Sequence, residues 1–300
     1  MGGAKKGKEG IKEEENVPTK VKETIMRVVF LLTACVSVAA VVLICIFMFA
    51  NGVPAIAKIG VPEFLLGTTW KPGNDIYGIF PMIVASLYVT AGALLIGVPI
   101  GVLCAIYMAR FCPAKVYRVM KPMTELLAGV PSIVCGFFAL VVIVPFVRNV
   151  FGGSGKSILT ACLLLGLMIL PTIISVTEAA IRAVPQSDYE GALALGATHE
   201  QSVFRVLLPA AKSGVTAAII LGVGRAIGET TAVAMIAGNQ PVIPAGLLKG
   251  ARTLTANIVL EMGYATGLHR EALIATAVVL FVFVLLINLC FSALKGKEKA

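Results

Sequence analysis

Long apolar segments constrain this chain more than any other feature. Residues 25–50 are almost wholly apolar, and as one helix they are long enough to cross about 30 Å of hydrocarbon. Five more such segments follow, at about 79–109, 125–147, 158–181, 213–237 and 269–293. In lipid, only helices and closed barrels satisfy all their backbone polar groups. The pattern therefore predicts an all-α integral membrane protein with six transmembrane helices.

Composition agrees with a membrane protein. Hydrophobic residues make up 58% of the 300, charged residues only 14%, and the mean hydropathy is +0.94. These values exclude a soluble domain and a disordered chain. The net charge of +9 is not arranged as a basic stripe with aromatic residues, so we expect no nucleic-acid partner. We find no nucleophile–base pair and no metal-binding motif, so the chain is not expected to be an enzyme.

Lysine and arginine residues are concentrated on one set of loops. The positive-inside rule therefore places both termini in the cytoplasm. The predicted organisation has four parts, which are a charged cytoplasmic tail, a first transmembrane helix with a periplasmic interfacial loop, a five-helix core, and a short cytoplasmic tail. Their ranges are 1–24, 25–78, 79–293 and 294–300.

The stretch between the fourth and fifth spans, residues 182–212, is mixed polar and apolar. It predicts a helix from Asp188 to Leu195 and a second helix from about His199 to Leu207. Gly196 lies between them, where a left-handed backbone would end the first helix. Pro209 is expected to stop the second helix, because proline has no amide hydrogen. The prediction is a compact two-helix projection on the cytoplasmic face.

This stretch, which we call the coupling loop, resembles the EAA loop of ABC-importer permeases. Glu190-Gly191-Ala192 is followed after three residues by Gly196 and, nine residues later, by Val206-Leu207-Leu208-Pro209. The family pattern has Ala at 191 and Ile at 206, and both departures keep a small or β-branched apolar side chain. In that family the loop docks into a cytoplasmic ATPase. The resemblance implies a type I ABC importer permease fold and an ATPase-coupling role for six residues: Glu190, Gly191, Ala192, Gly196, Leu208 and Pro209.

Charged residues inside the fifth span indicate a second candidate site. Residues 224–231 read Gly-Arg-Ala-Ile-Gly-Glu-Thr-Thr, with Arg225 and Glu229 four positions apart. On a continuous helix these two side chains share one face and can pair. Because charge at membrane depth is costly, we expect them to face a transport path, or else to form a structural pair. Glu178 and Arg182, at the end of the fourth span, are interpreted as scaffolding.

The sequence GRAIGETTAVAMIAGN, residues 224–239, resembles the permease subunits of phosphate-specific ABC importers, the PstC family. Segments 125–132 and 254–263 are similar to the same subunits, and the likeness covers about 60–293. It implies a path for inorganic phosphate that involves Arg225 and Glu229, to which we add the adjacent Thr230.

The same resemblance implies partners. They are a sister permease of the PstA type, a cytoplasmic ATPase dimer of the PstB type, an external phosphate-binding protein of the PstS type, and membrane lipid. ATP and Mg are expected in the ATPase and no cofactor in this chain. The implied location is the inner membrane of a prokaryote. Alternatives are the sister permease itself, a permease for sulfate or molybdate, and an ATP-independent channel or ion-coupled carrier.

Two other patterns are interpreted as structural. Residues 152–157, GGSGKS, look like a phosphate-binding P-loop, but Val150 stands where the first glycine is required, and no strand precedes the loop. The seven cysteines show no Cys-x-x-Cys spacing, so neither a zinc site nor a disulfide framework is predicted.

Overall fold

A computed structural model describes residues 17–297, with side chains described from 22 to 290. Predictions for 1–16 and 298–300, which include most of the N-terminal tail, lie outside the described residues. Residues 17–24 were predicted as tail but belong to the first helix.

Helices dominate the described residues. The first half of the chain contains α1 Val17–Ile59, α2 Val61–Leu66, β1 Trp70–Lys71, a 3₁₀ turn Pro72–Asn74, β2 Ile76–Tyr77, α3 Phe80–Ile106 with a π turn Tyr107–Phe111, α4 Ala114–Gly129, α5 Ser132–Phe138 with a π turn Ala139–Ile143, and α6 Val144–Phe151. The second half contains α7 Ile158–Arg182, α8 Gln186–Ala194, α9 His199–Ser202 with a π turn Val203–Leu207, α10 Leu208–Ala210, α11 Lys212–Gly228, α12 Thr231–Ile236, α13 Leu254–Glu261 and α14 Gly267–Lys297.

Among the described residues, five helical segments are long and apolar enough to cross a membrane, and a sixth is present if the bent pair His199–Ala210 and Lys212–Gly228 counts as one span. The six-helix prediction is consistent with this architecture. Two segments between the predicted spans contain more helix than expected, since α1 continues to Ile59 and α13 lies between the fifth and sixth predicted spans.

After Arg27, the first helix is apolar on all sides up to residue 50. Side chains from 22 to 49 are almost all exposed, as expected of a surface that lipid covers. The described residues up to Phe49 form one unit of the structure, and the described residues from Ala50 onward form another. The helix was predicted to end at residue 50, but Pro54 fits inside it, and the backbone turns only at Gly60, where φ is 99°.

Within the second unit, α3 and α7 form the centre of the fold. They run parallel and approach closely because small residues lie between them. A Cβ at Gly97 would lie 2.7 Å from two atoms of Ile169 and 2.9 Å from the Gly166 carbonyl oxygen. Leu165 and Ile169 of α7 are fully buried in the surrounding apolar cluster.

The third span begins later than predicted. The sequence favoured a helix from about residue 125, but α4 ends at Gly129 and Val130 is extended, with ψ of 126°. Proline disfavours a helical conformation in the residue before it, and Pro131 therefore separates α4 from α5. Glu125, the residue at which the third predicted span begins, lies instead in the second half of α4. The candidate span runs over Ser132–Phe151.

The Gly/Ser-rich segment 152–157 is a turn that leads into α7. Gly152, Gly153 and Gly155 all have positive φ. Ser157 caps α7, because its hydroxyl accepts a hydrogen bond from the Thr160 amide at 3.3 Å. The segment therefore has a structural role, as predicted.

We expect Gly97→Ala to destabilise the protein, because the new methyl group meets the backbone of α7. Overpacking of this kind costs about 1–3 kcal/mol. Thermal unfolding of the purified protein in detergent measures the effect. Gly263→Ala is the matched control, since no atom lies within 4 Å of the position that its Cβ would occupy. Equal unfolding temperatures for both variants would contradict the close packing.

Candidate functional site

The coupling loop forms the predicted pair of helices around Gly196. α8 begins at Gln186, two residues earlier than predicted, directly after the extended Pro185. Gly196 has φ of 87°, the left-handed conformation that was expected there. Thr198 starts α9 with a capping box, because its hydroxyl accepts from the Gln201 amide while the Gln201 side chain accepts from the Thr198 amide.

The second helix continues through Pro209, contrary to prediction. A π turn over Val203–Leu207 precedes the proline, closed by the Leu208 amide and the Val203 carbonyl. This wider turn accommodates a ring that has no amide to donate. The break comes at Ala211, where the chain bends by 69° into α11.

The coupling loop is fastened to the ends of the spans. Arg110, just after α3, donates to the Gln186 side chain at 3.1 Å and to the Ile181 carbonyl at 3.4 Å, and it lies 5.6 Å from the centre of the Tyr189 ring. The Tyr189 hydroxyl is 2.7 Å from Nδ1 of His199, which joins α8 to α9. An apolar cluster lies beneath them: Ile106, Ile181, Val184, Val203, Leu207 and Ala211.

The outer face of this loop is partly apolar. Leu195 is 92% exposed, and Leu193 and Phe204 are also exposed. Among the residues predicted to couple to an ATPase, Ala192 is buried and Leu208 is half-buried. The others are exposed: Glu190, Gly191, Gly196 and Pro209. The loop therefore presents a fixed, exposed surface that another protein can contact.

The predicted fifth span is interrupted at the second candidate site. α11 ends at Gly228, Glu229 is extended with φ −67° and ψ 129°, and α12 begins at Thr231. Arg225 and Glu229 are therefore not on one continuous helix. Within residues 17–297 they form no ion pair, so the predicted pairing is wrong.

The Glu229 side chain instead satisfies the backbone at the break. Its Oε1 accepts from the amides of Thr230 and Ala232, both at 3.1 Å. The Glu229 carbonyl accepts from the Thr255 hydroxyl at 3.0 Å, and the Thr230 hydroxyl donates to the Gly228 carbonyl at 3.0 Å. These bonds replace those that a continuous helix would make, so Glu229 and Thr230 hold the shape of the break.

Arg225 lies one turn before the break and is half-buried. Its guanidinium has no hydrogen bond or ion pair among the described residues. It lines a mainly apolar cavity of about 290 Å³ between α4, α5 and α7, together with Leu127, Val130, Val134, Cys135, Phe138, Leu164, Leu167 and Met168. A planar guanidinium without a counter-ion in such surroundings can bind an oxyanion through paired hydrogen bonds.

A buried polar network around Glu261 was missed by the sequence reasoning. This network lies at the end of the second unit that is opposite the coupling loop. Glu261 accepts hydrogen bonds from the Trp70 indole at 2.9 Å, from Arg252, and from His269 at 2.8 Å if that ring nitrogen carries the proton. Arg252 also donates to the Asn239 carbonyl at 3.1 Å. The network joins β1, α13, α14 and the segment after α12. Only the resemblance at 254–263 pointed to this region, since the contacts link residues far apart in sequence.

Among residues 17–297, no group of three or more His, Cys, Asp or Glu side chains could hold a metal ion. The two features of the described residues that suit a ligand or a partner are the Arg225 guanidinium and the exposed face of the coupling loop.

Comparison with known proteins shows that both candidate sites lie in the part of the chain that matches one protein family. A sequence model of the family described as binding-protein-dependent transport system inner membrane component matches residues 97–296. This range includes the coupling loop, Arg225 and Glu261, while Trp70 of the Glu261 network lies before it.

Several curated relatives span most of the chain. A probable ABC transporter permease protein, YqgH of Bacillus subtilis, is 39% identical over 278 residues, which is 90% of both chains. The phosphate transport system permease protein PstC of Mesorhizobium japonicum is 33% identical over 265 residues, 81% of both chains. PstC 1 of Mycobacterium tuberculosis is 32% identical over 267 residues, 75% of this chain and 79% of the relative.

Solved structures share the fold. A chain of the MetNI methionine ABC transporter in an inward-facing conformation superposes with a TM-score of 0.55 and 26% identity, covering 73% of this chain and 94% of the other. A chain of an amino acid ABC transporter gives a TM-score of 0.52 at 20% identity. The type I ABC importer permease fold that the coupling loop implied is confirmed.

Glu261→Gln should strongly destabilise the protein, because it leaves Arg252 buried without a counter-charge, at a cost of about 3 kcal/mol. Glu271→Gln is the matched control, since its ion pair with Lys58 is solvent-exposed, with 37% and 59% of the side-chain surfaces accessible, and is worth less than about 1 kcal/mol. Thermal unfolding followed by fluorescence of Trp70, the single tryptophan, measures both. Similar shifts for the two variants would show that the buried network is no more important than the exposed pair.

Proposed function

Because the chain belongs to the family of binding-protein-dependent transport system inner membrane components, we propose that it is the permease subunit of an ATP-driven importer of inorganic phosphate. In this proposal it forms half of the membrane pathway, a second permease chain forms the other half, and an external binding protein delivers phosphate. A cytoplasmic ATPase dimer binds ATP and Mg and drives the cycle. Both termini and the coupling loop face the cytoplasm.

The observation that carries the phosphate assignment is the guanidinium of Arg225, which has no partner in the described structure and faces a cavity beside a helix break. Phosphate at neutral pH is a mixture of mono- and dianion, so a positive charge on the route lowers the barrier to its entry. Release is also required, and a single arginine surrounded by apolar side chains offers few further hydrogen bonds to hold the anion. The names of the PstC relatives favour phosphate over sulfate or molybdate.

The coupling loop supports the link to an ATPase. Arg110, Tyr189 and His199 fix the loop to the span ends, so a force on the exposed face of α8 reaches α3 and α7 without deforming the loop. One chain carries one such loop, whereas an ATPase dimer presents two docking surfaces. A pore of two permease chains with pseudo-twofold symmetry follows from this count.

Gly196→Val should uncouple ATP hydrolysis from uptake. A β-branched residue strains a backbone held at φ of 87°, while no atom lies within 4 Å of the new Cβ, so the effect comes from the shape of the turn. We expect the variant to be expressed at the normal level. In the reconstituted transporter, ATP hydrolysis should no longer be stimulated by the loaded binding protein. Gly73→Val, at an exposed glycine without positive φ, is the control. Unchanged stimulation and uptake in Gly196→Val would refute the coupling role.

Arg225→Gln should abolish phosphate uptake while the protein still assembles, because a neutral side chain is cheaper to bury than a charge. Arg225→Lys keeps the charge but loses the planar pair of donors, so its uptake separates charge from geometry. Labelled phosphate uptake into proteoliposomes is the measurement, with sulfate and molybdate as competitors.

The control for Arg225 is Arg148→Gln, an exposed arginine in α6. Full uptake in Arg225→Gln would remove Arg225 from the transport path. Efficient competition by sulfate or molybdate would instead replace phosphate with another oxyanion and leave the transport role in place.

A further inference from the structure

Glu178 has the most heavily hydrogen-bonded side chain near the coupling loop. Its side chain is 2% exposed, in the last two turns of α7. Oε1 accepts from the Tyr117 hydroxyl at 2.7 Å and from Nε of Arg182 at 2.8 Å, and Oε2 accepts from Nζ of Lys121 at 2.9 Å. A buried carboxylate is stable only when such donors surround it.

Two of these donors come from α4, more than fifty residues away in sequence. The hydrogen bond from Lys121 to Glu178 raises the pKa of Lys121, so this lysine stays protonated. The Arg182 guanidinium lies 4.6 Å from the centre of the Tyr117 ring and also donates to the Met108 carbonyl at 2.9 Å. Glu178 therefore joins α4 to α7 at the point where α7 leads into the coupling loop.

α4 connects this junction to Arg225. Leu127 and Val130, at the end of α4, line the same cavity as the Arg225 side chain. Lys121 and Leu127 are six residues apart on one helix, a rise of about 9 Å. Beyond the Pro131 break, α5 also reaches the transport site, because Gly136 packs directly against Ala232, whose amide donates to Glu229.

We propose that Glu178 is a positioning residue that fastens α4 to the base of the coupling loop, so that a displacement of the loop moves Leu127 and Val130 relative to Arg225. The coupling loop and the Arg225 cavity are thus joined through α4. This inference rests on the proposed function, since it assigns a link between the ATPase contact and the phosphate route. Glu178 and Arg182, which the sequence analysis interpreted as scaffolding, would then also carry the movement of the coupling loop to the Arg225 cavity.

The physical basis is that three charged or polar donors share one buried carboxylate. Removal of one donor leaves the carboxylate under-satisfied and loosens α4, while the apolar cluster under the coupling loop and its Arg110 contacts remain intact. The coupling loop should therefore still bind an ATPase and respond to it. Only the transfer of its movement to the cavity should weaken.

The test uses the complete transporter in proteoliposomes, with the binding protein outside and ATP supplied to the ATPase. ATP hydrolysis and phosphate uptake are measured in the same sample, so that phosphate moved per ATP hydrolysed is obtained. We expect Lys121→Met to hydrolyse ATP but to move about tenfold less phosphate per ATP, because it loses a hydrogen bond to a charged group. Tyr117→Phe, which keeps the ring beneath Arg182, should show a smaller loss in the same direction.

Lys121→Arg, which retains the charge and the donors, should restore the wild-type ratio. Lys115→Met, an exposed lysine on the same helix, is the matched control. A wild-type ratio in Lys121→Met would overturn the proposal, and so would a proportional fall in hydrolysis and uptake, which would indicate a purely structural role. Absence of ATP-dependent phosphate uptake in the wild-type particle would instead refute the proposed function.

Discussion

Satisfaction of backbone hydrogen bonds at membrane depth is the constraint on which this structure depends. A helix that is interrupted in hydrocarbon leaves amides and carbonyls without partners. At the break after Gly228, the chain solves this with its own side chains, because the Glu229 carboxylate takes two amides and the Thr255 hydroxyl takes the Glu229 carbonyl. Glu229 serves there as a capping group, whatever else it does. Because the Glu229 carboxylate is used in this way, it does not serve as a counter-ion for Arg225.

Charge is distributed over the fold according to the same logic. Among the described residues, Glu178 and Glu261 are the two buried carboxylates, and they lie near the two ends of the second unit. Each accepts hydrogen bonds from donors both near and distant in the sequence. Arg225 is the contrasting case, a half-buried cation without a described partner. Satisfied buried charges stiffen the helix ends, whereas an unsatisfied one is available to a ligand. The difference separates the residues that hold the fold from the residue that can bind an anion.

A structural feature could be predicted from the sequence when its cause is local in the sequence. Apolar length predicted the membrane helices, and the left-handed turn at Gly196 followed from glycine's freedom of backbone conformation. The Arg225–Glu229 pair was wrong because the i,i+4 spacing assumes a continuous helix, while the break depends on Thr255, twenty-six residues away. Pro131 ends α4 by a local rule, because proline disfavours a helical conformation in the residue before it. That rule was available from the sequence, but it was not used when the third span was predicted to begin at about residue 125. The contacts of Lys121 with Glu178, and of Trp70 with Glu261, are tertiary and carry no periodic signal.

The exposure of Leu195 has a consequence for a copy of the chain that has not assembled with a partner. Leu195, with 92% of its surface exposed, lies close to the exposed Leu193, and a protein that covered both would remove this apolar surface from water. If the coupling loop docks on an ATPase as proposed, a copy made in excess of that partner would keep both leucines exposed to water. Chaperones and proteases act on chains that expose apolar surface, so under the proposed function the partner would also protect this subunit from degradation.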